Sequence, residues 1–395
     1  MKEASSGVPG FRFAGLPCGI KKTGAPDLAL LVADAVAPCA GVFTTNRVVA
    51  APVVQSREKL SLHGKARAVI INSGNANACT GARGAEDARR MAEAAAAQLG
   101  CSADEVLVCS TGVIGATLPI ERIEAALPDA VARLSSDGLA DFAEAIRTTD
   151  TQRKMRRSTF GWDGRDYHLA GAVKGAGMIH PNMATMLAFL VTDAPVAPDE
   201  LFGVWYRVCH RTFNAITIDG DTSTNDTALL FAGALGEPLT GDGLAALEHA
   251  LGELARELAL DIIRDAEGGT KTVAISVTGA ASLADAAAAA EAIALSPLVK
   301  TALHGEDPNW GRIIAAAGRS GASFHPDGLR LWIGDTLLYA DGQWQGPVAE
   351  AEAHDVMQTV EYGIRLDLGS GRAHRTLYTC DLSADYVRIN ADYRS

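Results

Sequence analysis

The segment CSTGVIG (109–115) combines residue types that can stabilise a developing negative charge. It directly follows an apolar run that predicts a buried strand, so a backbone N–H and a hydroxyl can converge where that strand ends. Thr111 and Gly112 are therefore candidates for an oxyanion hole. A strand that ends in a tight turn gives the same local pattern, and on these residues alone the structural interpretation is favoured.

A second segment, KGAGMIHPNMATML (174–187), places a lysine, a glycine-rich turn and a threonine between apolar runs. Lys174 has apolar neighbours, and a buried lysine needs a partner or a function, such as binding a carboxylate. A lysine that extends its ammonium group to the surface is the alternative. Thr185 alone indicates no more than a half-buried strand position.

The segment DGDTSTND (219–226) carries three aspartates, which could bind a hard cation. It lacks the spacing of a calcium-binding loop, so a hydrogen-bonded structural turn is favoured over a metal site. His180 and His304 lie next to glycine-rich loops, but the sequence indicates no partner for either, and surface or structural roles are expected.

Composition excludes several classes of function. The chain has 35 basic and 47 acidic residues, and this net charge of -12 argues against a general nucleic-acid or anionic-membrane binder. The seven scattered cysteines lack metal-site spacing and predict reduced thiols without a metal cofactor. GxSxG, GxxxxGK[ST] and HExxH signatures are absent. No signal-peptide pattern or membrane-spanning apolar stretch is visible, so a cytoplasmic protein is expected.

The elements that must position these residues follow from hydrophobic periodicity. Apolar runs at 28–33, 68–72 and 106–110 predict buried strands, and a helix over 85–100 lies between two of them. This alternation predicts a layered α/β fold. Two further strands, at 167–175 and 184–194, flank the loop GMIHPNM (177–183), and Thr185 lies at the start of the second strand.

The C-terminal part predicts a smaller α+β unit, with a soft boundary near residue 290. Before it, patterns predict helices at 244–265 and 282–294 and a strand at 272–278. Within it, one helix is expected near 349–359, and strand-like runs lie at 329–334, 336–340, 363–369, 375–381 and 385–390 (DYVRIN).

These segments occur in one order with others, and their combination resembles the ornithine acetyltransferase (glutamate N-acetyltransferase) family of arginine biosynthesis. The resemblance runs from about Gly10 to Ser395 and is carried by GIKKTGAPDLALL, GVFTTNRVVAAPV, INSGNANACTG, STGVIG, TTDT, KGAGMIHPNMATMLAFLVTDA, FNAITIDGDTSTNDT, DAEGGTK, SPLVKTALHGEDPNWGRI and YVRIN. It implies the layered α/β fold that this family shares with self-processing aminopeptidases.

The resemblance also implies a self-cleaved precursor. Cleavage between Ala184 and Thr185 would give chains of residues 1–184 and 185–395, which assemble as an α2β2 heterotetramer. Thr185 would become an N-terminal nucleophile, and its new α-amine would act as the base. The implied reaction moves acetyl from N-acetylornithine to glutamate, yields ornithine and N-acetylglutamate, and needs no cofactor. Acetyl-CoA as an additional donor stays open.

Site residues carried over from the family fall on positions with matching types. Thr111 and Gly112 would form the oxyanion hole around the Thr185 nucleophile. Substrate contacts are implied at Thr151, Lys174, Thr185, Glu267, Asn390 and Ser395. One departure is Gly269 in DAEGGTK, where alanine is expected, and it puts in doubt only the loop shape near Glu267.

Three alternatives compete with this interpretation. The same threonine chemistry with water as acceptor would give an aminopeptidase or amidase. A secondary-metabolism acetyltransferase that acts on ornithine is a second alternative, although GMIHPNMATML favours the arginine-pathway type. A noncatalytic scaffold is the third, and the intact set of Thr111, Gly112 and Thr185 argues against it.

Overall fold

The structure is a computed structural model, and it describes residues 7–180 and 186–392. The strands are β1 (Phe11–Leu16), β2 (Leu28–Phe43), β3 (Lys65–Asn75), β4 (Val106–Val113), β5 (Lys154–Trp162), β6 (Arg165–Lys174), β7 (Leu187–Pro195), β8 (Ile216–Thr217), β9 (Thr227–Gly233), β10 (Thr272–Ala280), β11 (Arg330–Ile333), β12 (Thr336–Ala340), β13 (Gln343–Trp344), β14 (Glu361–Asp367) and β15 (Ala373–Cys380). The helices are α1 (Ala51–His63), α2 (Gly81–Leu99), α3 (Ile120–Ala132), α4 (Leu139–Ala145), α5 (Pro198–Arg211), α6 (Gly241–Arg264), α7 (Leu283–Ala294), α8 (Pro297–His304), α9 (Trp310–Gly318), α10 (Pro347–Met357) and α11 (Ala384–Asp392).

The chain divides into two compact units. The first contains the described residues up to Asn214 and the segment Asp221–Ile262, and the second contains Ala215–Gly220 and the described residues from Ile263 onward. The second unit therefore starts ahead of the boundary expected near residue 290. The reason is that β10 and β8 both pair with β15 and so belong to the sheet of the second unit.

The first unit is built on an eight-stranded sheet with the order β4-β3-β2-β9-β7-β6-β5, in which β1 pairs with β2. Two neighbouring pairs, β3 with β4 and β7 with β9, are parallel. Parallel strands bring equivalent ends to the same edge of a sheet. The end of β4 therefore lies beside the glycine and asparagine that end β3.

The strands β2, β3 and β4 are buried on both faces, which explains their continuous apolar runs. Side chains alternate between the faces of a strand, so Leu31, Ile71 and Leu107 pack into one core cluster, and Leu30, Ile70 and Val108 pack into another. The second cluster includes Met91 and neighbouring alanines of α2.

Helix α2 confirms the helix predicted over 85–100 and begins a turn earlier, at Gly81. Its buried positions Ala88, Met91, Ala92 and Ala95 follow the spacing of one helical face. The helix ends at Gly100, whose φ of 66° is left-handed and costs glycine little.

The second unit has a seven-stranded sheet with the order β13-β12-β11-β14-β10-β15-β8. Val273, Ile275 and Val277 on β10 point into a core that also contains buried residues of α7, α8, α9 and α10. Together the two sheets and their helices confirm the mixed α/β fold class predicted from the sequence.

One predicted strand is wrong. DYVRIN (385–390) lies in α11 and not in a strand. Its Tyr, Val and Ile favour a strand locally, but the hydroxyl of Ser383 accepts the N–H of Tyr386 at 3.2 Å. A serine that bonds the N–H three residues on is a helix N-cap, and this cap overrides the local propensity.

All seven cysteines are free thiols in the structure. Across the described residues, no single helix is long and apolar enough to cross a membrane, whereas the bent pair α7 and α8 passes that test by length and composition alone.

Candidate active site

Both oxyanion-hole candidates lie near the end of β4, a strand at the edge of the first sheet. Thr111 is 4% exposed, and Gly112 has a φ of 131°. A Cβ atom on Gly112 would lie 2.3 Å from the carbonyl carbon of Gly74 and 2.5 Å from the nitrogen of Asn75, both on the neighbouring β3. Only glycine therefore fits this backbone, because its conformation and the close approach of β3 both exclude a side chain.

Lys174, the last residue of β6, is 3% exposed and donates a hydrogen bond from Nζ to Thr111 Oγ1 at 3.2 Å. The structure thus brings together two residues that are 63 positions apart in the sequence. An ammonium group can only donate, so the threonine hydroxyl accepts and its own hydrogen points elsewhere. This geometry leaves Thr111 able to donate to an oxyanion, with a positive charge behind it.

Asp150 contacts the backbone next to Lys174, at the end of β6. The sequence motifs did not indicate this residue. Its Oδ1 accepts from Lys154 Nζ and from the Gly175 N–H, each at 2.7 Å. Burial alone would raise the pKa of this carboxyl, but the charges of Lys154 and Lys174 and the Gly175 N–H lower it well below its usual range. Asp150 is therefore an anion that fixes the backbone just after Lys174.

Asn225 connects the polar segment 219–226 with the two glycine-rich segments 71–81 and 109–115. Its side-chain amide donates to the carbonyl of Ala76 at 2.7 Å and to that of Ser110 at 2.8 Å. Ser110 in turn donates its hydroxyl to Asn72 Oδ1 at 2.6 Å. The segment 219–226 thus supports the strand that carries Thr111.

Asp226, the next residue, is completely buried, and its Oδ1 accepts the N–H of Met186 at 2.9 Å. Burial raises the pKa of this carboxyl well above its usual range, although the Met186 N–H, the charge of Lys174, the Ser223 N–H and the Thr44 hydroxyl oppose the shift. The sequence indicates only a polar turn at Asp226.

Four of the predicted site residues are not part of this geometry. Ala184, Thr185 and Ser395 lie outside the described residues. Thr151 is exposed and follows Asp150 directly.

In the second unit, the structure places the side chains of Glu267 and Asn390 in contact. Asn390 Nδ2 donates to Glu267 Oε2 at 3.0 Å and to the carbonyl of Tyr386 at 3.0 Å. The carboxylate of Asp381 accepts the N–H groups of Thr270 and Lys271 at 2.6 and 2.9 Å, which anchors the segment after Glu267. Asn390 lies one helical turn after Tyr386 on α11, and this helix positions the Asn390 side chain against Glu267.

The departure at Gly269 has a small structural effect. Its backbone does not adopt the left-handed conformation, and an added Cβ would lie 3.1 Å from the Ala266 Cβ and 3.2 Å from the Cys380 Cβ. Alanine therefore requires only a slight local adjustment there.

His304 has the partner that the sequence did not reveal, since its Nδ1 lies 2.7 Å from Asp381 Oδ2. Among residues 7–180 and 186–392, no group of three or more His, Cys, Asp or Glu side chains is arranged to hold a metal ion.

Comparison with known proteins decides the family. The model of the ArgJ family matches residues 12–395. The chain belongs to the ArgJ family.

Curated members of the family match over almost the full length. The Arginine biosynthesis bifunctional protein ArgJ of Geobacter sulfurreducens is 52% identical over 392 residues, which are 98% of this chain and all of that protein. The protein of the same name from Chlorobaculum tepidum is 50% identical over 389 residues, or 98% of this chain and 96% of that protein. A solved structure of ArgJ from Bacillus halodurans is 40% identical with a TM-score of 0.51, and it covers 53% of this chain and all of that chain.

These matches confirm the family assigned from the sequence motifs. They also confirm that the chain is an enzyme, an acetyltransferase of arginine biosynthesis.

Proposed function

We propose that the protein transfers the acetyl group of N-acetylornithine to glutamate through an acetyl ester on Thr185. The proposal depends on the buried hydrogen bond from Lys174 to Thr111. This bond lies beside Gly112, whose backbone conformation suits only glycine, in a chain of the ArgJ family. A hydroxyl whose lone pair is occupied by an ammonium group, next to an N–H on a backbone that only glycine can adopt, is suited to bind an oxyanion.

Self-cleavage comes first. The Thr185 hydroxyl attacks the carbonyl carbon of Ala184, and the acyl group moves from nitrogen to oxygen while the hydroxyl proton passes to that nitrogen. Water then hydrolyses the ester and frees the threonine amine. Cleavage there gives a first fragment of residues 1–184 and a second fragment of residues 185–395.

The transfer uses the amine that cleavage creates. An α-amine has an ordinary pKa of about 7.7 to 8.0 and can take the Thr185 hydroxyl proton near neutral pH. The oxygen attacks the acetyl carbonyl of N-acetylornithine, and Thr111 Oγ1 and the Gly112 N–H stabilise the oxyanion. Ornithine leaves with the proton, and the amine of glutamate then attacks the ester to give N-acetylglutamate.

Substrate contacts are assigned to Lys174, Thr151, Glu267, Asn390 and Ser395. Lys174 would attract the α-carboxylate that N-acetylornithine and glutamate share, because it is a buried cation beside the oxyanion hole. Glu267 would receive an ammonium group or position the reacting amine. The hydrogen bond from Asn390 supports this role, since it orients the Glu267 carboxylate.

Two finer properties complete the proposal. The curated relatives are named bifunctional proteins, so acetyl-CoA is proposed as a second donor to the same threonine. The two fragments are proposed to assemble as α2β2. Production of N-acetylglutamate and free CoA from acetyl-CoA and glutamate tests the first property, and light scattering of the cleaved protein tests the second.

The decisive experiment combines mass spectrometry with kinetics. The wild-type protein should give fragments 1–184 and 185–395, and Thr185→Ala should remain one chain. N-acetylornithine alone should add about 42 Da to the second fragment, because an ester persists until an amine arrives. Double-reciprocal plots should show parallel lines. Full transferase activity from an uncleaved wild-type chain would refute the mechanism, and acetate release without transfer to glutamate would point to the amidase alternative.

A further inference from the structure

Helix α11 carries Asn390, yet none of its nine residues is buried. Its Val387, for example, is 63% exposed. A helix this short is marginal in water on its own, and most helices in proteins gain stability from a packed apolar face. Because α11 has no buried apolar face, its place on the second unit depends on polar contacts.

Tyr386, one helical turn before Asn390, connects α11 to the sheet of the second unit. Its hydroxyl donates a hydrogen bond to Asp219 Oδ2 at 3.1 Å. Asp219 follows β8, and β8 pairs in parallel with β15. Parallel strands bring equivalent ends to the same edge of a sheet. Asp219 therefore lies at the edge where β15 ends and the chain continues to α11.

The first turn of α11 lies directly against the residue that follows Glu267. A Cβ atom on Gly268 would lie 2.4 Å from the backbone nitrogen of Tyr386. The Ser383 hydroxyl donates to the carbonyl of Gly268 at 2.6 Å and accepts the N–H of Tyr386 at 3.2 Å. The backbone of Tyr386 is thus fixed beside the loop that carries Glu267.

The side-chain amide of Asn390 lies between Tyr386 and Glu267. Its Nδ2 donates to the Tyr386 carbonyl and to Glu267 Oε2, each at 3.0 Å. An amide nitrogen has two hydrogens, so these two bonds use both and set the orientation of the amide. Glu267 is 9% exposed, and a carboxylate has further acceptor sites. It can therefore bind an ammonium group while it keeps the bond from Asn390.

We propose that Tyr386 is a positioning residue, which acts through Asn390 on the carboxylate of Glu267 and is anchored by Asp219. The ligand group at Glu267 is the side-chain ammonium of N-acetylornithine and ornithine, because hydrogen bonds between two charged groups are the strong ones. This inference rests on the proposed function, in which Glu267 receives an ammonium group or positions the reacting amine. Glutamate has no side-chain ammonium, so these contacts act on the donor and not on the acceptor.

The test compares Tyr386→Phe with Tyr362→Phe. Each change removes one hydroxyl and keeps the ring, so both variants should fold. Tyr362 is a matched control in the second unit, because its buried hydroxyl has no hydrogen-bond partner among the described residues. Asn390→Ala and the double variant with Tyr386→Phe show whether Tyr386 acts through Asn390. Each protein is followed by steady-state kinetics, by calorimetry of ornithine binding and by its unfolding temperature.

Tyr386→Phe should raise the Kd of ornithine and the KM of N-acetylornithine roughly tenfold, the effect of losing one hydrogen bond to a charged group. The KM of glutamate should stay within about twofold of wild type. Asn390→Ala should give a similar loss, and the double variant should bind no more weakly than Asn390→Ala, because both changes break the same series of contacts. Tyr362→Phe should bind and turn over as wild type does, and neither tyrosine variant should unfold at a lower temperature.

A wild-type Kd for ornithine in Tyr386→Phe would overturn the inference and leave the proposed function intact. Additive losses in the double variant would overturn it as well, because Tyr386 would then act independently of Asn390. An equal loss with glutamate, together with a lower unfolding temperature, would show a structural role and would also overturn it. A wild-type protein that transfers no acetyl would contradict the proposed function, whereas the calorimetry needs no turnover and still tests Tyr386.

Discussion

The Nζ of Lys174 donates to the Oγ1 of Thr111 at 3.2 Å, and both side chains are almost fully buried. The bond has a direction, because lysine carries only donors. It sets the rotation of the threonine hydroxyl and places a cation next to it. This contact connects the end of β4 with the end of β6. The oxyanion-hole candidate Thr111 and the carboxylate-binding candidate Lys174 are therefore directly hydrogen-bonded to each other.

Thr111→Val should lower kcat by about 100- to 1,000-fold, or about 2.7–4 kcal/mol, because it removes one oxyanion donor and keeps the side-chain shape. The KM of N-acetylornithine should change little. Steady-state kinetics of the cleaved protein measure both parameters. Thr111→Ser keeps the hydroxyl and should retain most of the activity, and an equal loss in both variants would count against the role of the hydroxyl.

Lys174→Met should weaken the use of both N-acetylornithine and glutamate, because each presents an α-carboxylate to the same cation. Losing a buried charged partner costs about 2 kcal/mol or more, so kcat/KM should fall roughly 30-fold or more for each substrate. Cleavage must be measured first, since Lys174 lies eleven residues before Thr185. Lys65→Met at an exposed position serves as the control. A loss confined to one substrate would refute shared recognition.

Gly112→Ala should destabilise the protein by about 1–3 kcal/mol, because the φ of 131° and the approach of Gly74 to 2.3 Å both oppose a Cβ atom. Activity should fall as well, since the N–H must move away from β3. Gly115→Ala is a matched control, because Gly115 has a φ of 81° but no atom within 4 Å of an added Cβ. Urea unfolding of the two variants measures the difference, and equal losses would show that contact with β3 is unimportant.

The sequence correctly predicted the helices and strands that depend on local residue patterns. Continuous apolar runs indicated β3 and β4 because both of their faces are buried, and the alanine-rich spacing indicated α2. The strand expected at 385–390 failed because the cap provided by Ser383 outweighed the β propensity of Val387 and Ile389.

Motifs and the family resemblance together indicated Thr111, Gly112 and Lys174, and the resemblance alone indicated Glu267 and Asn390, whose side chains are hydrogen-bonded in the structure. Asp150, Asn225 and Asp226 could not be recognised in the same way. Asn225, for example, bonds carbonyls 149 and 115 residues away, and no local pattern encodes such pairs.

The side chain of Asp150 is 0% exposed and accepts a hydrogen bond from the buried Lys154 at 2.7 Å. Asp150→Asn should destabilise the protein by about 3–5 kcal/mol at neutral pH, because Lys154 then loses its carboxylate while still buried. The pKa of Asp150 in the folded protein is lowered, whereas an unfolded aspartate titrates near about 3.9. Its contribution to stability is therefore present above that pH and is lost as the pH falls towards the folded pKa. Urea unfolding at several pH values should show that the difference in free energy of unfolding between wild type and variant shrinks below about pH 3.9.

The double variant Asp150→Asn with Lys154→Met should recover part of the loss in stability, since it removes both charges. A difference that does not depend on pH, or a double variant less stable than Asp150→Asn alone, would show that the ion pair is not what holds the backbone after Lys174.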